Sequence, residues 1–390
     1  MKILKSNNRN IIFIFFISFI SIIIDTFILN FQYDLIPAWD QGYHLSNAYK
    51  YSILLENINL FNKDWINQFW TITDSYRGPL TYFVSGLFMR IFGMSFKNAI
   101  LSNHIFNLIL IFTIYLQGKR IKNSNLGLIS ATIFVLSPVI INLRTDYLID
   151  ISLCSFITLN WLYLTNIFFK NKFNFIESVF AGFLLGFVFL VKPTGIVYFS
   201  VPLFLLLIKI STKKIPYFKK LLIVIIYLFS FLAVIFPWFS NNWLTIISSI
   251  NNAWNWGINY QEGLEANTLS GWTFYLFEIY KIPGVYFSSI LLSFSILQIL
   301  KRKLNKKIIL NTFIKKQFLW YSSFPISIYI IGCLMSSKDI RFIIPIYPQI
   351  CILFGLIITN INFNPFLKIL IYLFLMTLTL FNTLFSIIKE

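Results

Sequence analysis

The stretch IIFIFFISFISIIIDTFILNFQYDLIPAWDQGYH, residues 11–44, decides the class of protein. Residues 11–30 are long and apolar enough to cross the hydrocarbon core of a bilayer as a helix, which takes about 20 residues. Lys2, Lys5 and Arg9 precede the run and no small-residue cleavage site follows it, so it reads as a retained anchor and not as a removed signal peptide. Where the chain leaves the apolar run it carries an acid, Asp40, in AWDQGYH.

The rest of the chain repeats the pattern of the first span. Of 390 residues, 57% are hydrophobic and 12% charged, about half the charged share of a soluble protein. These residues cannot supply the polar shell of a soluble enzyme, nor the composition of a disordered chain. Further spans are expected at 97–116, 126–143, 147–169, 175–191, 195–210, 221–240, 274–299, 318–336, 342–360 and 365–386. The fold class is therefore all-α, a polytopic membrane protein of about eleven transmembrane helices in a single domain over 1–390.

The net charge of +18 would suit nucleic acid, but its distribution does not. Alternate loops are basic: 1–10, GKRIK at 118–122, KNK at 170–172, KISTKKIPYFKK at 209–220 and KRKLNKKIILNTFIKK at 301–316. The intervening set, 31–96, 144–146, 192–194, 241–273 and 337–341, holds nine of the 14 acids. The positive-inside rule makes the first set cytoplasmic and the second outer. The charge is a topology signal, and no nucleic-acid partner is expected. Abundant Lys, Ile, Phe and Asn suggest an AT-rich bacterial genome, hence the inner (plasma) membrane. The three cysteines, Cys154, Cys333 and Cys351, all lie in apolar runs and make neither a disulfide framework nor a metal site.

Two outer segments are long. In 31–96, the stretches 45–57 (LSNAYKYSILLEN) and 79–92 (PLTYFVSGLFMRIF) have helical apolar spacing with charges, which predicts helices lying in the membrane interface. Segment 241–273 is rich in Trp, Tyr and Asn and reads as an aromatic outer loop, suited either to the headgroup layer or to stacking on sugars.

Charged side chains at membrane depth are costly and mark candidate sites. Asp40 is a candidate general base, or an N-cap of the helix that follows. His44 lies one helical turn on, but the two are too few for a metal site. Arg77, in SYRGPL, can present a guanidinium beside a helix start to a phosphate, or contact a lipid headgroup. In RTDYLID, Asp146 and Asp150 are four apart, on one face if the stretch is helical, and Arg144 or Lys192 is the expected partner of Asp150. Lys192, in LVKPTG, can snorkel or bind an anion. Lys338 and Arg341, in SSKDIRFIIPIYP, run against the outer charge bias; phosphate binding would account for them, as would local neutralisation by Asp339.

In this order the elements resemble the C-type glycosyltransferase (GT-C) superfamily, in the branch that uses lipid-phosphate-linked sugars, with the protein O-mannosyltransferases and the aminoarabinose transferases acting on lipid A. The match rests on AWDQGYH after the first span, YRGPL (Tyr76 to Leu80), RTDYLID, VKPTG and IRFIIPIYP, and covers most of residues 1–360. Gln41 stands where the family often has Glu, leaving Asp40 alone as the base, and Gly78 stands where Pro is common. The resemblance implies a polyprenyl-phosphate sugar donor in the outer leaflet and an acceptor hydroxyl on a glycolipid, polysaccharide or protein. It implies inversion with Asp40 as base, donor-phosphate binding by Arg77, Lys192, Lys338 and Arg341, and support from Tyr76, Arg144, Asp146, Asp150 and His44. A divalent metal is not required, though Asp40 and Asp150 could hold one. Acceptor binding is expected on 31–96 and 241–273, since no sizeable outer domain follows the last spans.

Two other readings compete. A transporter or flippase for a lipid-linked or anionic solute would also use outer cations and intramembrane acids, but no inverted repeats are visible. A polysaccharide polymerase or ligase would concentrate cations in one large outer loop, whereas 241–273 contains no Lys or Arg.

Overall fold

The computed structural model describes residues 2–31, 39–73, 77–170, 174–212, 216–259, 264, 266–285, 287–290, 293, 312–360 and 377. Tyr76, almost all of the expected span 365–386 and most of the basic loop 301–316 lie outside the described residues. The described residues form helices and no strand.

The first apolar run is α1 (Lys2–Phe31). Ile14, Ile17, Ser21, Asp25 and Ile28 are buried at helical spacing, while Phe15, Phe16, Phe19, Ile23 and Phe27 are exposed. A helix apolar on its outer face as well as its packed one is solvated by hydrocarbon. Three short helices follow: α2 (Trp39–Leu54), α3 (Lys63–Thr71) and α4 (Leu80–Phe92). The two helices expected from 45–57 and 79–92 are present as α2 and α4, and they pack together. However, α2 starts earlier than expected, so Asp40 falls in its first turn and not before it. Gly86 of α4 allows this approach, since a Cβ there would lie 2.7 Å from the Tyr51 Cβ.

The body of the molecule comprises α5 (Phe96–Leu101), α6 (Asn103–Ile121), α7 (Ser124–Val135), α8 (Pro138–Thr145), α9 (Asp150–Phe169) and α10 (Phe175–Val191). A 3-10 segment (Pro193–Phe199) leads into α11 (Ser200–Thr212), and α12 (Tyr217–Asn259) follows. Then come α13 (Leu269–Glu278), α14 (Thr312–Leu334), a second 3-10 segment (Ile340–Ile346) and α15 (Tyr347–Asn360). Among the described residues six helical stretches are long and apolar enough to span a membrane, or seven with the bent pair α7–α8. Helices α4, α10 and the end of α14 are apolar but shorter.

Three local outcomes differ from the sequence expectation. The expected span 126–143 is broken into α7 and α8, bent by 60°, because Pro138 removes a backbone donor and its ring blocks the helix. Asp146 and Asp150 share no helix: Asp146 caps α8 in an extended conformation and Asp150 starts α9. The helix α12 runs through 241–259, where a loop was expected. Leu244, Ile246, Ile247 and Ile250 continue its apolar spacing, and Pro237 sits inside it.

Candidate active site

The chain folds so that helix ends converge. Asp40 and His44 come from the start of α2, Arg77 from just before α4, and Asp150 from the first turn of α9. Lys192 caps the end of α10, and Arg341 lies in the second 3-10 segment. All six line one cavity of about 300 Å³, together with Ile149, Pro193, Thr194, Ser249, Ile250, Met335, Ser337 and Phe342. Four stretches singled out in the sequence (AWDQGYH, YRGPL, RTDYLID and VKPTG) meet there with Arg341 of the fifth.

Asp40 bridges two guanidinium groups. Its Oδ1 lies 3.8 Å from Arg77 Nη2 and its Oδ2 lies 3.5 Å from Arg341 Nη1, with the carboxylate half exposed to the cavity. Pairs this loose and open contribute little to stability. Arg341 is aimed by Asp339, which accepts from its backbone N–H (2.9 Å) and Nε (2.6 Å). Local neutralisation by Asp339 is thus real, and it leaves Nη1 directed at Asp40. Lys192 sits over the Phe342 ring at 5.2 Å. Burial pushes its ammonium below the ordinary lysine value, and the Asp150 charge opposes that. His44 is pushed down to about 2, first by burial and then by Arg77, Lys192 and Arg341, so its ring is neutral.

Other expected site residues are used differently. Lys338 does not line the cavity; its Nζ donates to the carbonyls of Gly332 (3.2 Å), Cys333 (2.6 Å) and Met335 (2.5 Å), capping α14. Burial lowers its pKa as well. Asp146 accepts from Gln41 Nε2 at 3.2 Å, tying the turn after α8 to α2 beside Asp40. Arg144 does not partner Asp150. Its Nε and Nη2 donate to Asp25 at 2.6 and 2.8 Å, and its Nη1 donates to the Val135 carbonyl at 2.8 Å. This pair is fully buried and fastens the α7–α8 bend to α1, with His104 Nε2 at 3.8 Å from Asp25. Asp25 is the residue the sequence reading passed over. Its signal was an acid inside the apolar run SIIIDTF, which at membrane depth needs a partner.

Gly78 has a physical reason. A Cβ there would lie 1.9 Å from the Leu190 carbonyl oxygen, so the chain after Arg77 lies directly on the end of α10. Among the described residues no group of three His, Cys, Asp or Glu side chains is placed to hold a metal ion. The carboxylates of the cavity are Asp40 and Asp150, and three cations line it with them.

The helix ends that make the cavity are opposite those that carry the basic loops. Lys119, Arg120 and Lys122 end α6, Lys170 follows α9, and Lys219 and Lys220 begin α12. Lys122 reaches Thr359 at the far end of α15.

This architecture is shared with solved membrane proteins. ArnT from Cupriavidus metallidurans in the apo state superposes with a TM-score of 0.58 at 14% identity, over 88% of this chain and 59% of that one. The same protein bound to undecaprenyl phosphate gives 0.58 at 12% identity, over 88% and 60%. The archaeal oligosaccharyltransferase AglB from Archaeoglobus fulgidus, in complex with an inhibitory peptide and a dolichol-phosphate, gives 0.51 at 11%, over 96% and 55%. The chain therefore has the membrane fold of the C-type glycosyltransferases, and it spans between 55% and 60% of these proteins' length. Within that class, residues 76–238 match the dolichyl-phosphate-mannose-protein mannosyltransferase family, a stretch that contains Arg77, Arg144, Asp150 and Lys192. No curated protein matches the sequence.

Proposed function

We propose that the protein transfers a sugar from a polyprenyl-phosphate donor to an acceptor hydroxyl at the outer face of the bacterial inner membrane. The observation that carries this reading is the carboxylate of Asp40 held between Arg77 and Arg341 at the mouth of a cavity that also presents Lys192. Preorganised cations facing an apolar helical body suit a lipid monophosphate, whose charge grows as its bond to the sugar breaks. The acceptor oxygen attacks the anomeric carbon from the face opposite the phosphate and its proton passes to Asp40. The carbon–oxygen bond to phosphate breaks and phosphate leaves with the electron pair. Phosphate needs no general acid, and one displacement inverts the anomeric centre. Thr194, Ser249 and Ser337 offer hydroxyls to the sugar. The acceptor is a glycolipid, polysaccharide or protein hydroxyl, approached from the side of α2 and the end of α12.

General-base catalysis contributes roughly 10²–10⁴-fold. Purified Asp40→Asn should lose transfer by that order while still binding undecaprenyl phosphate. Transfer at the parent rate by a folded Asp40→Asn protein would overturn the assignment. The cations are assigned the phosphate without a metal, so transfer should persist in EDTA. Loss in EDTA with recovery in Mg²⁺ would instead place a divalent ion between Asp40 and Asp150.

A further inference from the structure

His44 is 1% exposed, one turn along α2 from Asp40, and both its ring nitrogens are engaged. Nε2 lies 2.5 Å from Arg77 Nη1 and Nδ1 lies 2.7 Å from Tyr82 Oη. A guanidinium can only donate, so Nε2 must accept, and the ring proton must sit on Nδ1 and be donated to Tyr82. A single neutral tautomer therefore satisfies both contacts. The ring is further held edge-on by Tyr43 at 5.6 Å and Tyr147 at 6.5 Å. On its other side Arg77 is followed by Gly78, which is pressed on Leu190. Nη1 is thus held from α2 while Nη2 faces Asp40 and the cavity.

We propose that His44 is a positioning residue for the donor: as an obligate acceptor it fixes the Arg77 guanidinium in the orientation that meets the lipid phosphate. The inference rests on the phosphate-binding role proposed above for Arg77. Tyr82, by accepting from Nδ1, holds the tautomer on which the arrangement depends. A long arginine side chain left to itself samples many rotamers, and holding one donor nitrogen removes that cost from donor binding.

The test uses the full-length protein in detergent, with binding of undecaprenyl phosphate and steady-state transfer measured side by side. His44→Leu keeps volume but removes the acceptor. A hydrogen bond to a charged group is worth about tenfold to a hundredfold in affinity, so Kd and donor KM should rise together by that factor, and kcat should fall as well because the same guanidinium meets the charge that grows on the leaving phosphate. His44→Gln can place an amide oxygen where Nε2 stands and should recover affinity to within about threefold of the parent. In an Arg77→Ala background, adding His44→Leu should change Kd by less than about twofold, since contacting residues acting as a unit are non-additive. Unchanged donor affinity in His44→Leu, or full additivity with Arg77→Ala, overturns the proposal. Should His44→Leu not fold, His44→Asn replaces it, since the shorter amide mimics Nδ1 and does not reach Arg77. Equal affinity of the Asn and Gln variants then overturns it. Unchanged affinity in Arg77→Ala alone overturns the phosphate reading instead, so the two failures are distinguishable.

Discussion

Lys192 shows how burial changes the chemistry of an ordinary side chain that lines the cavity. It caps α10 where Pro193 interrupts the helix, and desolvation pushes its pKa below the ordinary 10.5. A cation with a lowered pKa loses its proton earlier as pH rises, so donor binding should fail on an alkaline limb lying below that value. In Lys192→Arg the guanidinium stays charged and the limb of kcat/KM for donor should move upward; superimposable profiles would remove Lys192 from the titration. Lys338 illustrates the opposite outcome. In sequence it is a cation of the same outer stretch as Arg341. In the fold its three donors are taken by carbonyls at the end of α14. Nothing in SSKDIR distinguishes a cavity-lining cation from a helix cap, because the difference is only which way each side chain points. Asp25 and Arg144 carry the same lesson in reverse. Each is visible as a charge at membrane depth, yet they are 119 positions apart in sequence, and only the packing of α1 against α8 makes them a pair.

At the scale of elements, the apolar periodicity placed most helices, and their ends followed from backbone chemistry. Pro138 broke the expected span 126–143, and α12 ran on to Asn259 because no glycine or proline interrupts it between Pro237 and Gly257. Aromatic and asparagine-rich composition is compatible with a loop at a membrane surface and with an amphipathic helix end, so composition alone misplaced 241–259. Gly78 was legible as a departure from the YRGPL-like pattern, but its cause lay in another element. Gly78→Ala would drive a methyl into the Leu190 backbone, which cannot give as a flexible side chain would. Overpacking of this kind costs about 1–3 kcal/mol, and the strain falls on the residue next to Arg77. We expect a lower melting temperature in detergent together with weaker donor binding, whereas a tolerated Gly78→Ala would show that the α4 entry can move away from α10.

For the whole molecule, the cavity and the basic helix ends lie at opposite ends of the helices, and the positive-inside rule then assigns the sides. All three native cysteines are buried, so introduced thiols can report topology on a quiet background. Phe61→Cys, at a fully exposed position between α2 and α3, should react with a membrane-impermeant maleimide in intact cells; Lys122→Cys should react only after permeabilisation. The reverse pattern would put the cavity on the cytoplasmic side and sink the outer-face proposal. By itself the sequence determined the class of fold, the placing of most apolar runs and the uneven division of charge between loops. Those properties are local, since hydrophobic length, periodicity and charge are read one segment at a time. The tertiary structure alone decided that Asp40, His44, Arg77, Asp150, Lys192 and Arg341 share one cavity, while Lys338 and Arg144 are spent on a helix cap and a buried ion pair. Side-chain partnership depends on how helices from distant parts of the chain pack, and a single sequence does not encode that distance in any local pattern.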